Sequence, residues 1–281
     1  MASGYWDAVR ASGLQVPPDR PLDDLTAELT AMLGSTDPTR RDRTAYEVLA
    51  GWISRGVYDE LLAGLGDGMV AGLRRGLGEV GTDSVFRRSF SALVLTECLE
   101  RDNRERLLTA ERVLTWGDRL ASWFLDERDV RGHVPGKGWA HALAHGADAV
   151  GALADSPHLD LAELTVLLDV LAERVLIPPG LPVEAGEADR LAAATLRILQ
   201  RDVVPLEFFE PWAQRIAEAA RPAYADDNPY PLTLLPQAYL RSLHLQLSLG
   251  NKRPRDRADQ LLVLVDVLRF CNPVHLAARR H

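Results

Sequence analysis

Asp83-Ser84-Val85-Phe86-Arg87-Arg88-Ser89-Phe90-Ser91-Ala92-Leu93-Val94-Leu95-Thr96-Glu97-Cys98-Leu99 reads as a helix that is apolar all round past Arg88. At about 100° per residue its apolar side chains point in every direction, and a helix without a polar face belongs inside a helical array. Asp83 serves as its cap. Arg87 and Arg88 follow near the N-terminal end, where a cation opposes the helix dipole at a cost of about 0.3–1 kcal/mol. Local helix stability does not explain them, so they need acidic partners or an anionic ligand. In the structural reading Arg87 pairs with Asp83 one turn back, and Arg88 meets an acid of a neighbouring helix such as Asp42 or Glu47. In the other reading at least one arginine touches a ligand.

The start of this helix has an echo. Thr36-Asp37-Pro38-Thr39-Arg40-Arg41 lies 46 residues before Thr82-Asp83-Ser84-Val85-Phe86-Arg87. Each copy puts Thr-Asp at a helix start and Arg four residues after the Asp, with Leu49 and Leu95 in register further on. Pro38 sits where a missing N–H costs little. Two capped helices can match by coincidence, since Thr and Asp are common caps. As a true repeat, the period falls in the HEAT range of about 40–47 residues and predicts helix pairs stacked into an arc or solenoid.

Elsewhere helix signals dominate and alternating β-branched runs are scarce. Leu161, Leu164, Leu168 and Leu171 show the helical spacing. Turn signals at Gly34–Pro38, Gly81–Asp83, Pro135-Gly136, Pro178–Gly180 and Gly250-Asn251 separate such segments. The pattern predicts an all-α fold of ten to twelve helices and no sheet, HEAT-like, in one domain over residues 1–281. Ile177 to Asp189, rich in Pro and Gly, is the expected subdomain boundary or surface loop. Arg221 to Pro236, where Pro222, Pro229, Pro231 and Pro236 interrupt helix formation, is a second candidate.

The chain has 281 residues, 47% of them hydrophobic, and a formal net charge of -8. That length and composition can bury a sizeable core. The charge argues against a general affinity for nucleic acid, which needs a basic surface. The basic run Lys252 to Arg257 reads as a solvated loop. Cys98 and Cys271 lack metal spacing and read as buried small hydrophobes. No secretory leader or span of about 18 apolar residues is recognised, so the expected location is the cytoplasm.

The chemistry-bearing stretch is Gly132 to Asp148, with His141, His145 and Asp148 on one helical stripe. Trp139, Leu143, Gly146, Val150 and Leu153 fall on the opposite side of the wheel. The stripe can face water, line a cleft, or form a buried hydrogen-bond network. Its flanks are Ala140, Ala142, Ala144, Ala149 and Ala152 rather than Lys, Glu and Arg, which favours a lined cleft. A metal at His141 and His145 has compatible spacing. However, His141 and Asp148 are about 10.5 Å apart along the axis, so further ligands must come from another helix, and no cofactor is predicted. The Glu that zinc proteases carry after the first His is missing. Without a metal, His145 can act as acid or base with Asp148 orienting it.

Arg131, His133 and Lys137 precede the helix among three glycines, a weak anion-binding arrangement that does not match a P-loop. Trp116, Trp123, Trp139 and Tyr46 are core or cleft-wall candidates. Phe208, Phe209 and Trp212, flanked by Glu207 and Glu210, mark either a partner surface or a packing corner.

Residues Gly81–Ser91 and Arg131–Asp148, with the Gly-Lys-Gly-Trp-Ala-His and Ala-His-Gly-Ala-Asp runs of residues 136–141 and 144–148, resemble a bacterial family catalogued only as a domain of unknown function. Asp37–Glu47 fits the same resemblance. It covers most of the chain, implies an all-helical, HEAT-like domain, and implies no activity. His133 stands where the resemblance expects an aromatic residue and is not carried over as a site residue.

These readings converge on a polar pocket with His141, His145 and Asp148 as catalytic candidates. Arg87, Arg88, Arg131, Lys137, Trp139 and Glu47 are the ligand-binding candidates. The expected partner is a small polar or anionic molecule handled by acid–base chemistry. The alternative is a HEAT-like scaffold that grips a protein on its concave face without catalysis.

Overall fold

Thirteen α-helices form among the described residues of the computed structural model, which describes residues 2–178, 183, 185–222, 228 and 230–276. They divide into two compact units, one up to Ala149 and one from Val150. The first holds α1 (Ala2–Ala11), α2 (Leu22–Met32), a π-helical segment (Thr39–Tyr46) running into α3 (Glu47–Ser54), a 3-10 turn (Asp59–Leu61), α4 (Leu62–Leu73), α5 (Ser84–Glu105) and α6 (Ala110–Asp126). It also holds a two-stranded hairpin, β1 (His133–Val134) and β2 (Gly138–Trp139), and the start of α7 (Ala142–Ala154). The second holds the end of α7, then α8 (Leu161–Leu176), α9 (Glu187–Leu199), α10 (Leu206–Ala220), α11 (Tyr230–Leu249), α12 (Arg257–Cys271) and α13 (Pro273–Leu276).

The all-α expectation holds, with the short hairpin as the exception. α5 is buried along most of its length, as its all-round apolar pattern requires, and it packs on α3 and α4. Leu49 and Leu95 are both fully buried. Burial pushes the Cys98 thiol well above its usual pKa, and both cysteines are free and buried.

α4 approaches its neighbours through glycine. A Cβ on Gly66 would overlap the Trp116 ring, and one on Gly72 would overlap the Ser91 hydroxyl. Gly64 and Gly68, on the same helix, would meet nothing within 4 Å. Glycine in a helix interior costs about 0.5–1 kcal/mol relative to alanine. Gly68→Ala should therefore raise the unfolding free energy by about that much. Gly66→Ala should lower it, because Trp116 must move. Paired urea curves check this, and shifts of the same sign would contradict it.

In the second unit α9 packs on α11, and α10 on α11 and α12. Leu164, Leu168 and Leu171 are buried while Leu161 lies exposed at the start of its helix. α8 opens with a capping box, in which the Asp160 N–H donates to Glu163 at 2.9 Å. Trp212 donates its indole N–H to the Leu168 carbonyl at 2.9 Å.

The prolines expected to interrupt helix formation before residue 236 do not all do so. Pro231 occupies the first turn of α11, where no N–H is missed. Pro236 lies inside the helix and is buried, so packing holds a position that propensity disfavours. Pro229 and residues 223–227 lie outside the described residues, as do residues 179–182 and 184 of the expected Ile177–Asp189 boundary. Among the described residues no helix is long and apolar enough to cross a membrane.

Candidate functional site

The hairpin decides where the aromatic and histidine side chains go. Val134-Pro135-Gly136-Lys137 turns with the Lys137 N–H donating to the Val134 carbonyl at 3.0 Å. Proline in second place and Gly136 at φ +75° in third meet the demands of a type II turn. Val134 then pairs with Gly138 and His133 with Trp139. The ladder continues as Ala140 donates to the Gly132 carbonyl at 2.8 Å and His141 to the Arg131 carbonyl at 3.0 Å. Gly138, at φ +79°, passes so close to Arg41 that a Cβ would lie 3.1 Å from its Nη2.

α7 starts only at Ala142, and His141 precedes it in the left-handed region at φ +51°. That conformation is costly for a residue with a Cβ and tends to mark functional or tightly constrained positions. The wheel placed Trp139 opposite His141 by assuming a helix through both. Strand pairing of Trp139 overturns this: its ring stacks on His141 with centroids 4.3 Å apart, and His133 meets it edge-on at 5.0 Å.

His145 lies inside the first turns of α7 and is only 8% exposed. Its Nδ1 is 2.7 Å from the Oγ of Ser89, a fully buried residue of α5. Ser89 donates its one hydroxyl proton to the Ala140 carbonyl. In the neutral imidazole the shared proton therefore sits on Nδ1, donating to Ser89 Oγ, and the lone pair sits on Nε2. Phe90 touches the ring edge-on at 5.2 Å and His141 at 5.9 Å. Asp148 stands one turn further along α7, half-buried.

Against Phe90 lies a buried cation outside the set of residues expected at the site. Arg41 is fully buried, with its guanidinium over the rings of Phe86 at 4.3 Å and Phe90 at 4.8 Å. Its three nitrogens donate to Asp42 (2.7 Å), the Ser35 carbonyl (2.9 Å) and the Lys137 carbonyl (2.9 Å). Burial raises the Asp42 carboxyl above its usual range, against the pull of Arg41. Tyr46 packs on Phe90 at 6.4 Å and donates to Glu97 at 2.8 Å. Glu47, expected near the pocket, is exposed at the start of α3.

The other cations expected at the ligand are held by the protein. Arg88, fully buried, donates to Glu127 at 2.5 and 2.9 Å and to the Arg75 and Gly76 carbonyls at 3.0 and 2.7 Å. Its acid is Glu127, just past α6, rather than Asp42 or Glu47. Arg131 chelates Asp129 at 2.8 and 2.6 Å, and these bonds hold its guanidinium above the usual pKa. Lys137 pairs with Asp83 at 2.6 Å. Arg87 therefore does not take Asp83 as its counter-ion; it donates to the Thr30 carbonyl, and burial lowers its pKa.

The structure thus joins Trp139, His141 and His145 through ring contacts and uses Arg88, Arg131 and Lys137 as ties between the hairpin, α6 and the loop before α5. Ser89 was missed. Its signal was a small polar residue in a helix read as apolar throughout. Among the described residues no group of three or more His, Cys, Asp or Glu is placed to hold a metal ion.

A family model described as a protein of unknown function, DUF2785, matches residues 73–245. That stretch includes Ser89, Trp139, His141, His145 and Asp148. No curated protein and no solved structure matches the chain.

Proposed function

We propose, for a chain that belongs to the DUF2785 family, that the face formed by Trp139, His141 and His145 binds a small polar molecule and that His145 gives or takes its proton. The observation that carries this reading is the Ser89–His145 hydrogen bond. A buried serine whose own proton is committed elsewhere sets the tautomer of a nearly buried imidazole and directs its lone pair to Nε2. Such a ring can give or take a proton at Nε2. Trp139, 43% exposed, offers a flat wall for the ligand, and Asp148 adds a carboxylate one turn beyond His145. The ion pairs of Arg131 and Lys137 favour a neutral polar ligand over a strongly anionic one. The reading needs no metal or cofactor, and we place the activity in the cytoplasm.

We also read the helix pairs as HEAT-like. Arg41 and Arg87 occupy matching places in the two copies, and the two in-register leucines are both buried. A scaffold without catalysis would use the same array, and His145 distinguishes the two readings.

The test is imidazole ¹⁵N NMR combined with a thermal-shift screen of polar metabolites. Wild-type His145 should show the Nδ1–H tautomer. Ser89→Ala should lose that preference and about 1–3 kcal/mol of stability, since it strands a buried N–H. At least one compound should raise the Tm of the wild type and not of His145→Gln. An Nε2–H tautomer in the wild type, unchanged in Ser89→Ala, would remove the basis of the proposal.

A further inference from the structure

Far from His145 in sequence, α2, Tyr58 and α4 line an open cleft of about 310 Å³, the lower end of the range for small-molecule pockets. Its apolar floor is Tyr58, Leu65 and Met69, all buried. Asp23, Thr26 and Thr30 of α2 stand along its polar side. None of its lining residues is Lys, Arg or His, and Asp23 is the one that carries a formal charge.

The hydrogen inventory adds to this bias. Thr26 donates its hydroxyl proton to the Leu22 carbonyl at 2.7 Å. The 2.8 Å bond between Thr26 Oγ1 and Tyr58 Oη is therefore donated by Tyr58. Burial pushes the Tyr58 phenol up to about 12, so it keeps that proton. Tyr58 Oη is left with acceptor capacity alone. The Thr30 carbonyl is occupied by Arg87.

The α4 side of the cleft is bare backbone at Gly64 and Gly68, where a Cβ would meet nothing within 4 Å. Gly66 and Gly72 are needed for close packing against Trp116 and Ser91. Packing gives no such reason for Gly64 and Gly68. What they do is keep the cleft open.

We propose that this cleft binds a small organic cation, an ammonium group on a flat apolar body. The ammonium faces the Asp23 carboxylate, and the apolar body lies over Leu65 and Met69 against the bare backbone of α4. Charge selects the head group, and the glycines set the thickness of the slot.

The full chain is titrated with phenethylammonium chloride, followed by NMR at the Gly64 and Gly68 amides and the Met69 methyl. Neutral 2-phenylethanol and anionic 3-phenylpropionate serve as controls. The expected result is saturable shifts with the ammonium, weaker ones with the alcohol and none with the carboxylate. Asp23→Asn should weaken ammonium binding about tenfold, the scale of one charge-assisted contact. Gly68→Leu should fold with an unchanged or higher Tm and lose binding, because the side chain fills the slot. Equal binding of the carboxylate, absence of saturation, or wild-type affinity in Gly68→Leu would overturn the proposal. If Gly68→Leu does not fold, Asp23→Asn decides alone, with undiminished affinity as the refuting result.

Discussion

Glu127→Ala should lower the unfolding free energy by about 3–5 kcal/mol, the scale for stranding one member of a buried ion pair. Arg88 is 0% and Glu127 2% exposed, so solvent cannot replace the missing partner. Glu127 does more than neutralise Arg88. Its Oε2 also accepts from the Trp123 indole at 3.1 Å, and its Oε1 accepts from the Asp129 N–H at 2.9 Å. One carboxylate thereby ties α5, the last turn of α6 and the chain leading to the hairpin. The single variant leaves a charged guanidinium with only carbonyl and hydroxyl acceptors. Arg88→Met combined with Glu127→Leu removes both charges and should recover part of the loss, because the pair's own attraction is largely offset by desolvation, while the Trp123 and Asp129 N–H groups stay without their acceptor. Denaturant unfolding at fixed pH measures both. A loss below about 1 kcal/mol in Glu127→Ala would put the pair in the class of solvated surface bridges and refute this account.

Gly146→Val is expected to cost about 1–3 kcal/mol or more through overpacking. A Cβ at this position would overlap the Phe124 ring and lie 3.1 Å from Trp123. Both rings belong to α6 and are buried. α7 must therefore shift or tilt away, and His145 is the adjacent residue on that helix. The same substitution should weaken the Ser89–His145 bond, visible as a change in the imidazole ¹⁵N shifts. Phe124→Leu in the Gly146→Val background should show a favourable coupling, since it removes the atoms in conflict. A Gly146→Val protein as stable as the wild type, with His145 unmoved, would mean that α7 is not held against α6 at this point.

Gly146 also shows how differently neighbouring parts of the motif could be read in advance. Its apolar partners were foreseeable only as a side of a wheel shared with Leu143 and Val150, whereas α7 is buried on its alanine flanks as well. The wheel failed at Trp139 and His141, because the Pro135-Gly136 turn closes a hairpin whose strands run to Trp139. Helical geometry cannot begin until that pairing ends. The prolines of α11 failed in the opposite direction: Pro231 costs nothing in the first turn, and Pro236 weakens the helix locally but packing overrode it.

Arg87 and Arg88 divide in the same way. That Arg87 and Arg88 need partners followed from the helix dipole. That Arg88 takes Glu127, 39 residues away, and that Asp83 goes to Lys137 instead of Arg87, depended on which loops meet. Arg41 was visible as the match of Arg87, but nothing local announced that it would lie between Phe86, Phe90 and the Lys137 carbonyl.

Helical class and the buried character of α5 were determined by sequence alone, because propensity and periodicity act over a few residues. The tautomer of His145 was decided by tertiary structure. It depends on a serine 56 residues earlier in the chain, held at 2.7 Å by the packing of α5 beneath the turn into α7, and no local rule carries a hydrogen bond across that distance.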